Sequence, residues 1–412
     1  GLPRLPLFPV SLPRLHVNNP PAILPPTFQE KAGRVEFCIT DLIPDANRGL
    51  VCDLRCIFNQ HGVDGFIFEV QCHSRENDCR NDFTSVSKNR LTINKCLLIK
   101  GIFMINIDLR GLTPAPVTPF TRDGRVDYDA IQRLGSWLGS IDGVKGLVVL
   151  GHAGEGTFLT QEEQANVIRA FVKSVDDKLP IIAGITGEGT EVAALEAKRA
   201  VAAGASAGLL YPSHGWLRFG YQDGAPQDRY RVVYEESGLP LILFQYPDVT
   251  KATYNLKTLL DISAQPGVFA MKNGVRNMRR WDTEIPVIRR ERPDPQILSC
   301  HDEYLLHTAF DVDGFLVGYG NIAPEPLIEM IKAGKAGDYV KARELHDRLL
   351  PVTKSVYHRG SHMEGTVALK HALVARGILE HATVRSPLLP LENGAEKEIH
   401  DAMRAAELGR VG

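Results

Sequence analysis

From residue 111 onward, short apolar runs alternate with stretches of helical period, and this constrains the fold more than any other feature of the 412-residue chain. Strand-like runs lie at 115–118, 146–150, 180–184, 208–211, 241–245, 268–272, 296–299 and 314–317. Helical patterns separate them. The stretch 128–141 carries Ile131, Leu134, Trp137 and Leu138 on one face, and Thr160-Gln161-Glu162-Glu163 reads as a capping box opening a helix through Val175. Residues 229–236, 256–262 and 326–333 supply further helices. Strands alternating with helices argue βαβ units and a parallel sheet. Eight units over about 225 residues fit a (β/α)8 TIM barrel. The competing open, doubly wound sheet usually places G-x-G-x-x-G after its first strand, where this chain has Thr118-Pro119-Phe120. Three more helices, over 338–357, 366–376 and 395–408, follow the eighth unit. The expected organisation is a catalytic barrel over 106–337 and a C-terminal helical extension over 338–412.

Residues 1–105 have a different texture. The first 26 residues hold eight prolines, with Pro3, Pro6 and Pro9 at regular spacing, which favours polyproline-like conformations over a core. Runs at 65–70 and 98–105 read as isolated strands. Cys38, Cys52, Cys56, Cys72, Cys79 and Cys96 crowd into this region, and only Cys300 lies beyond it. A zinc module built from Cys52, Cys56, His61, Cys72, His73 and Cys79 would need a spacing that matches no structural zinc pattern. An extracellular disulfide domain conflicts with the cysteine-poor remainder. A docking peptide at Pro3–Pro9 is a third reading. The segment is expected to be an irregular, poorly ordered extension.

A formal charge of −2 gives no reason to expect nucleic acid or an anionic membrane as a partner. The apolar run 96–105 is short and carries Lys100, well under the ~20 residues of a spanning helix. No basic n-region followed by a long apolar stretch is present, so a cytoplasmic protein is expected.

Two segments carry chemistry. Lys272 closes the apolar run 267–272, where desolvation disfavours the cation and favours a nucleophilic amine. Gly151-His152-Ala153-Gly154-Glu155 is a glycine-rich turn directly after another strand, able to offer backbone N–H groups to a carboxylate. An amine and a carboxylate-binding turn together point to imine formation with a keto acid. The alternative for Lys272 is a strand-end lysine that reaches out to solvent.

Residues 111–408 resemble the family of dihydrodipicolinate synthase and N-acetylneuraminate lyase. The resemblance rests on Pro116-Val117-Thr118-Pro119-Phe120, Gly151-x-x-Gly154-Glu155, Pro180-Ile181-Ile182-Ala183-Gly184, Met271-Lys272-x-Gly274 and the three terminal helices. It implies an active site at the C-terminal mouth of the barrel, with Lys272 condensing with the keto carbon of pyruvate or a related acid. It implies no metal or organic cofactor, and it implies a homo-oligomer, dimer or tetramer. Gly151 and Gly154 carry over as the turn that faces the substrate carboxylate, with Glu155 orienting it and the small Ala153 between them a further candidate contact. Phe244, Gly274 and Tyr319 are further candidate substrate contacts.

The chain also departs from the family. The hydroxyl residues of the family turn are replaced by His152 and Ala153. The family's proton-shuttling tyrosine on the fifth strand is Phe244 here. Tyr246, two residues on and on the same strand face, is one candidate shuttle. His152, whose imidazole would exchange protons near neutral pH, is the other. The arginine that binds a second carboxylate in true dihydrodipicolinate synthases is Val249, beside Asp248, so a dicarboxylate product would be poorly held. Tyr211-Pro212-Ser213-His214, Cys300-His301-Asp302 and Tyr319-Gly320-Asn321 follow other strands and are either mouth contacts or loop packing, with Asp302 expected to cap a helix. The expected activity is a Schiff-base-forming lyase, aldolase or dehydratase, acting on a 2-keto acid. Dihydrodipicolinate synthase proper and a non-catalytic keto-acid-binding paralogue are the alternatives.

Overall fold

The computed structural model describes residues 107–411, together with the backbone of two earlier strands. Those strands, β1 (Leu50–Ile57) and β2 (Ile67–Ser74), pair antiparallel, with Leu50 opposite Ser74 and Ile57 opposite Ile67. Residues 67–70 of the run predicted at 65–70 fall on β2, and 65–66 lie outside the described residues. The readings for Pro3–Pro9 and for 98–105 lie outside the described residues. The chain divides into two units, residues 1–92 and 93–412, and the barrel lies in the second.

The barrel strands are β3 (Leu112–Pro114), β4 (Leu147–Val149), β5 (Ile181–Ile185), β6 (Ala207–Leu210), β7 (Leu241–Gln245), β8 (Val268–Asn273), β9 (Gln296–Ser299) and β10 (Gly314–Val317). Strands β4 to β10 pair in parallel in chain order, and β3 lies beside β10. The two ends of the sheet meet where Leu112 N–H donates to Gly143 O (3.1 Å) and Lys145 N–H donates to Leu112 O (2.8 Å). The eight strands thus form a nearly closed barrel.

The first strand lies at 112–114 rather than 115–118. Ala115 N–H still reaches Val317 O (2.9 Å), but Pro116 has no N–H and ends the ladder. Asn321 holds the continuation instead: its Oδ1 accepts from Val117 N–H (3.1 Å) and its Nδ2 donates to Ala115 O (2.7 Å).

Alternation along the strands sorts the core. Val148, Ile182, Leu209, Ile242, Phe244, Ala270, Leu298 and Leu316 form one buried cluster, the filling of the barrel. Their neighbours Leu147, Ile181, Leu210, Leu243, Met271, Ile297 and Phe315 belong to the other, packed under the helices. Strands buried on both faces read as continuous apolar runs, as these do.

The capping box forms as read, with Glu163 N–H donating to Thr160 Oγ1 (3.2 Å) and Thr160 N–H donating to Glu163 Oε2 (2.9 Å), opening the helix Gln161–Ser174. The three terminal helices are Tyr339–Tyr357, His362–Ala375 and Ala395–Ala405. The sequence pattern predicts no helix over Thr190–Ala202 or Met278–Glu291, where the structure has one each. The first buries mainly alanines, which mark a stripe weakly, and the second carries Pro286 inside it. No described helix is long and apolar enough to cross a membrane.

Candidate active site

The strand alternation that fills the barrel also builds its mouth. Residues 270, 272 and 274 share a face of β8 and its continuation, as do 242, 244 and 246 of β7. Since Ala270, Ile242 and Phe244 face the interior, Lys272 does too. It is 7% exposed and lies opposite Phe244 in the β7–β8 register. Its Nζ sits 4.2 Å from the centroid of the Phe244 ring, inside the range in which an aromatic face attracts a cation. Lys272 is therefore not a surface lysine.

Around it stand four aromatic rings. Tyr211 meets Phe244 edge-on at 5.1 Å between centroids, and Phe244 meets Tyr246 at 4.6 Å. His152, from the turn after β4, contacts Tyr211 edge-on at 4.9 Å. Tyr246 Oη lies 3.3 Å from His152 Nε2. The two candidate shuttles are thus one hydrogen-bonded pair. Burial, together with the nearby Lys272 charge, pushes the His152 imidazole down to about 3. It is neutral at physiological pH, so the expected proton exchange near neutrality is replaced by a fixed hydrogen-bonding role. Burial pushes the Tyr246 phenol well above its usual value, so it stays protonated in the resting site.

The turn itself is under constraint. Leu150 (φ 61°) and Glu155 (φ 52°) are both in the left-handed region without being glycine, and such conformations persist only where the surroundings impose them. A Cβ on Gly154 would lie 2.9 Å from Leu150 N and 3.1 Å from Pro116 O, so only glycine fits there. His152 N–H donates to Tyr211 Oη (3.2 Å), and Thr118 Oγ1 donates to Gly154 O (2.6 Å). The N–H groups of Ala153 and Gly154 have no acceptor among the described residues. Glu155 is turned away from these N–H groups. Its carboxylate is fully buried against the Lys370 ammonium from helix His362–Ala375.

Other expected contacts are placed differently. Tyr319 is buried with its hydroxyl against Leu349 O (3.0 Å) and Thr353 Oγ1 (3.1 Å) of helix Tyr339–Tyr357, so its polar end serves the extension. Asp302 caps no helix. Its Oδ1 accepts from Tyr319 N–H and Tyr357 Oη, both at 2.9 Å. Val249 is 95% exposed. Asp248 is held by Arg280 Nη1 (2.5 Å) and Asn277 Nδ2 (2.7 Å), so its charge does not face a substrate unopposed. The sequence pattern gives no sign of Lys370 or Arg276 beyond, for Arg276, its place in the loop just after Lys272.

A sequence profile of the Dihydrodipicolinate synthetase family matches residues 108–406. The chain is similar to the 4-hydroxy-tetrahydrodipicolinate synthase of Neisseria meningitidis serogroup C (strain 053442), 30% identical over 306 residues covering 72% of this chain and 99% of that protein. It is 31% identical over 301 residues to the protein of that name from Thiobacillus denitrificans, covering 73% and 97%. Among solved structures, dihydrodipicolinate synthase from Aquifex aeolicus matches with a TM-score of 0.63 at 26% identity, covering 73% of this chain and 99% of that one.

Proposed function

The chain belongs to the dihydrodipicolinate synthetase family and is a lyase of that family, and we propose on that footing that it forms a Schiff base between Lys272 and pyruvate or a related 2-keto acid. The observation that carries the reading is the seat of Lys272: inward-facing, buried, over the Phe244 ring and ringed by His152, Tyr211 and Tyr246.

The substrate carboxylate docks on the Ala153 and Gly154 N–H groups. The neutral form of the Lys272 amine attacks C2, giving a carbinolamine. Tyr246 delivers its proton to the carbinolamine oxygen, which leaves as water, and the nitrogen is left as a protonated imine. The Phe244 face stabilises that positive charge. The imine draws electrons from a C3–H bond or from the C3–C4 bond, giving an enamine. The Tyr246 phenolate regains its proton from C3–H in the first case, passing it to a hydroxide that departs from C4, and from the C4 hydroxyl in the second, where C4 leaves as an aldehyde, with His152 Nε2 holding the phenol in line. His152 acts as a positioning partner in this scheme. Assembly into a dimer or tetramer is part of the proposal, and sedimentation tests it.

The replacement of the family's tyrosine hydroxyl by Phe244 and of its arginine by Val249 supports a different keto acid over efficient dihydrodipicolinate synthesis. Losing a charge-assisted contact costs about 1.5–3 kcal/mol, and losing a general acid–base group costs roughly 10²–10⁴-fold. A coupled assay with pyruvate and aspartate semialdehyde should give weak turnover. Turnover near an ordinary enzyme's value of about 10 s⁻¹ would instead assign that reaction. Pyruvate plus borohydride should add a stable mass to Lys272, and Lys272→Ala should abolish it. Labelling that survives in Lys272→Ala sinks the Schiff-base reading. Labelling without multiple turnover on any keto acid would make the chain a binding paralogue.

A further inference from the structure

We propose that Arg276 anchors a second carboxylate at the far end of the keto acid, so that the site takes five- or six-carbon 2-oxo diacids. This rests on the Schiff-base reading and names its substrate class.

Arg276 lies in the loop after β8, four residues past Lys272. Its backbone is left-handed (φ 51°), a conformation uncommon outside glycine and costly to hold. Two long-range contacts hold it. Its N–H donates to His301 Nε2 (3.0 Å), and the buried His301 ring is fixed in turn by Ser299 Oγ at Nδ1 (3.2 Å). The guanidinium is gripped along one edge by Glu303, Nε to Oε1 at 2.9 Å and Nη2 to Oε2 at 3.0 Å.

Those bonds occupy Nε and Nη2. Nη1 has no protein acceptor among the described residues. Its position follows from Gly274: a Cβ built there would lie 3.6 Å from Nη1 and 3.5 Å from Cys300 Sγ. Gly274 and Lys272 point the same way, one strand repeat apart, about 6.7 Å along the chain. The guanidinium nitrogen that Glu303 leaves free therefore lies beside Gly274, where a Cβ would also meet Gln245 O at 3.3 Å, two residues past the amine along the chain. His152 registers the same arrangement, since both the Lys272 and the Arg276 charge disfavour its protonation.

A simple tie between the loops after β8 and β9 would need only the edge that faces Glu303. It would not need a strained backbone or a third nitrogen left without an acceptor beside Gly274. The reach suits a keto acid whose C2 is bound to Lys272 and whose terminal carboxylate lies three or four carbons away. The cation lost at Val249 is thus supplied from a different strand, and a linear diacid lies across the mouth toward β8 and β9.

The test uses the full chain and borohydride trapping at Lys272, titrating pyruvate, 2-oxoadipate and 2-oxohexanoate. In the unaltered protein, 2-oxoadipate should half-saturate labelling at about ten- to a hundredfold lower concentration than 2-oxohexanoate, the size of a charge-assisted contact. Arg276→Gln should erase that preference and leave the pyruvate titration within about twofold. Arg276→Lys should restore part of it as a point charge. Absence of any preference in the unaltered protein, or an equal weakening of all three probes in Arg276→Gln, overturns the proposal. If pyruvate itself fails to label Lys272, the Schiff-base reading falls, and this inference falls with it.

Discussion

Lys370→Met isolates the contact by which the C-terminal extension holds the carboxylate turn. Lys370 and Glu155 are both fully buried and paired. Lys370 Nζ also donates to Thr383 O (2.9 Å) and lies 4.3 Å over the Phe120 ring. Burial raises the Glu155 carboxyl above its usual 4.5 and lowers the Lys370 ammonium from 10.5 to about 8. Desolvation thus outweighs attraction for both partners, so the intact pair adds little stability, while breaking it is costly. Methionine keeps most of the aliphatic volume and leaves the carboxylate alone. The carboxyl then escapes only by binding a proton, at a cost that grows as pH rises above its usual 4.5. The unpaired Thr383 carbonyl adds on the order of 1 kcal/mol. Urea unfolding should therefore show a loss of about 3–5 kcal/mol at pH 7. In the variant the folded Glu155 pKa lies above the unfolded value. The folded state holds the extra proton, and the loss should shrink as pH falls from 7 toward 5. Glu155→Gln/Lys370→Met should recover most of the stability. A loss under about 1 kcal/mol, or the same loss at pH 5 and 7, refutes the reasoning.

Three further outcomes are expected. Tyr246→Phe should lower kcat on the true keto acid by roughly 10²–10⁴-fold while borohydride labelling of Lys272 stays detectable; an unchanged kcat removes Tyr246 from proton transfer. His152 and His301 are held at about 3 and about 4, below the ordinary 6.5, by burial and nearby cations. Their contribution is complete above pH 6.5 and is lost as pH falls toward 3–4, because the unfolded chain binds those protons first. Calorimetry should show Tm falling over that window, less steeply in His301→Gln, and an equal slope in that variant removes His301 from the account. A chain beginning at Asp108 should fold and keep keto-acid labelling, since the barrel closes within 112–317; loss of both would tie residues 1–107 to the working unit.

The fold was legible because its signals are local. Each apolar run is a strand that must be buried on both faces, and each intervening period is a helix with its own cap, as at Thr160 and Glu163. Boundaries slipped where a long-range partner decides them. The first strand ends at Pro114 because Pro116 lacks an N–H and Asn321, more than two hundred residues away, takes up the continuation. The lysine was legible for the same local reason: strand parity puts Lys272 on the interior face of an apolar run.

Sequence alone determined the alternation, the parity that turns Phe244, Tyr246 and Lys272 inward, and the glycines that let the turn at 151–154 close. Tertiary structure decided everything that depends on desolvation and on distant partners. It made His152 a neutral partner of Tyr246 instead of a group titrating near pH 7. It sent the Tyr319 hydroxyl to the extension, joined Glu155 to Lys370, and aimed one nitrogen of Arg276 over Gly274. A side chain's type and strand position are written in its own segment of chain. Its charge state and direction depend on which other segments exclude water around it, and those are fixed only when the barrel closes.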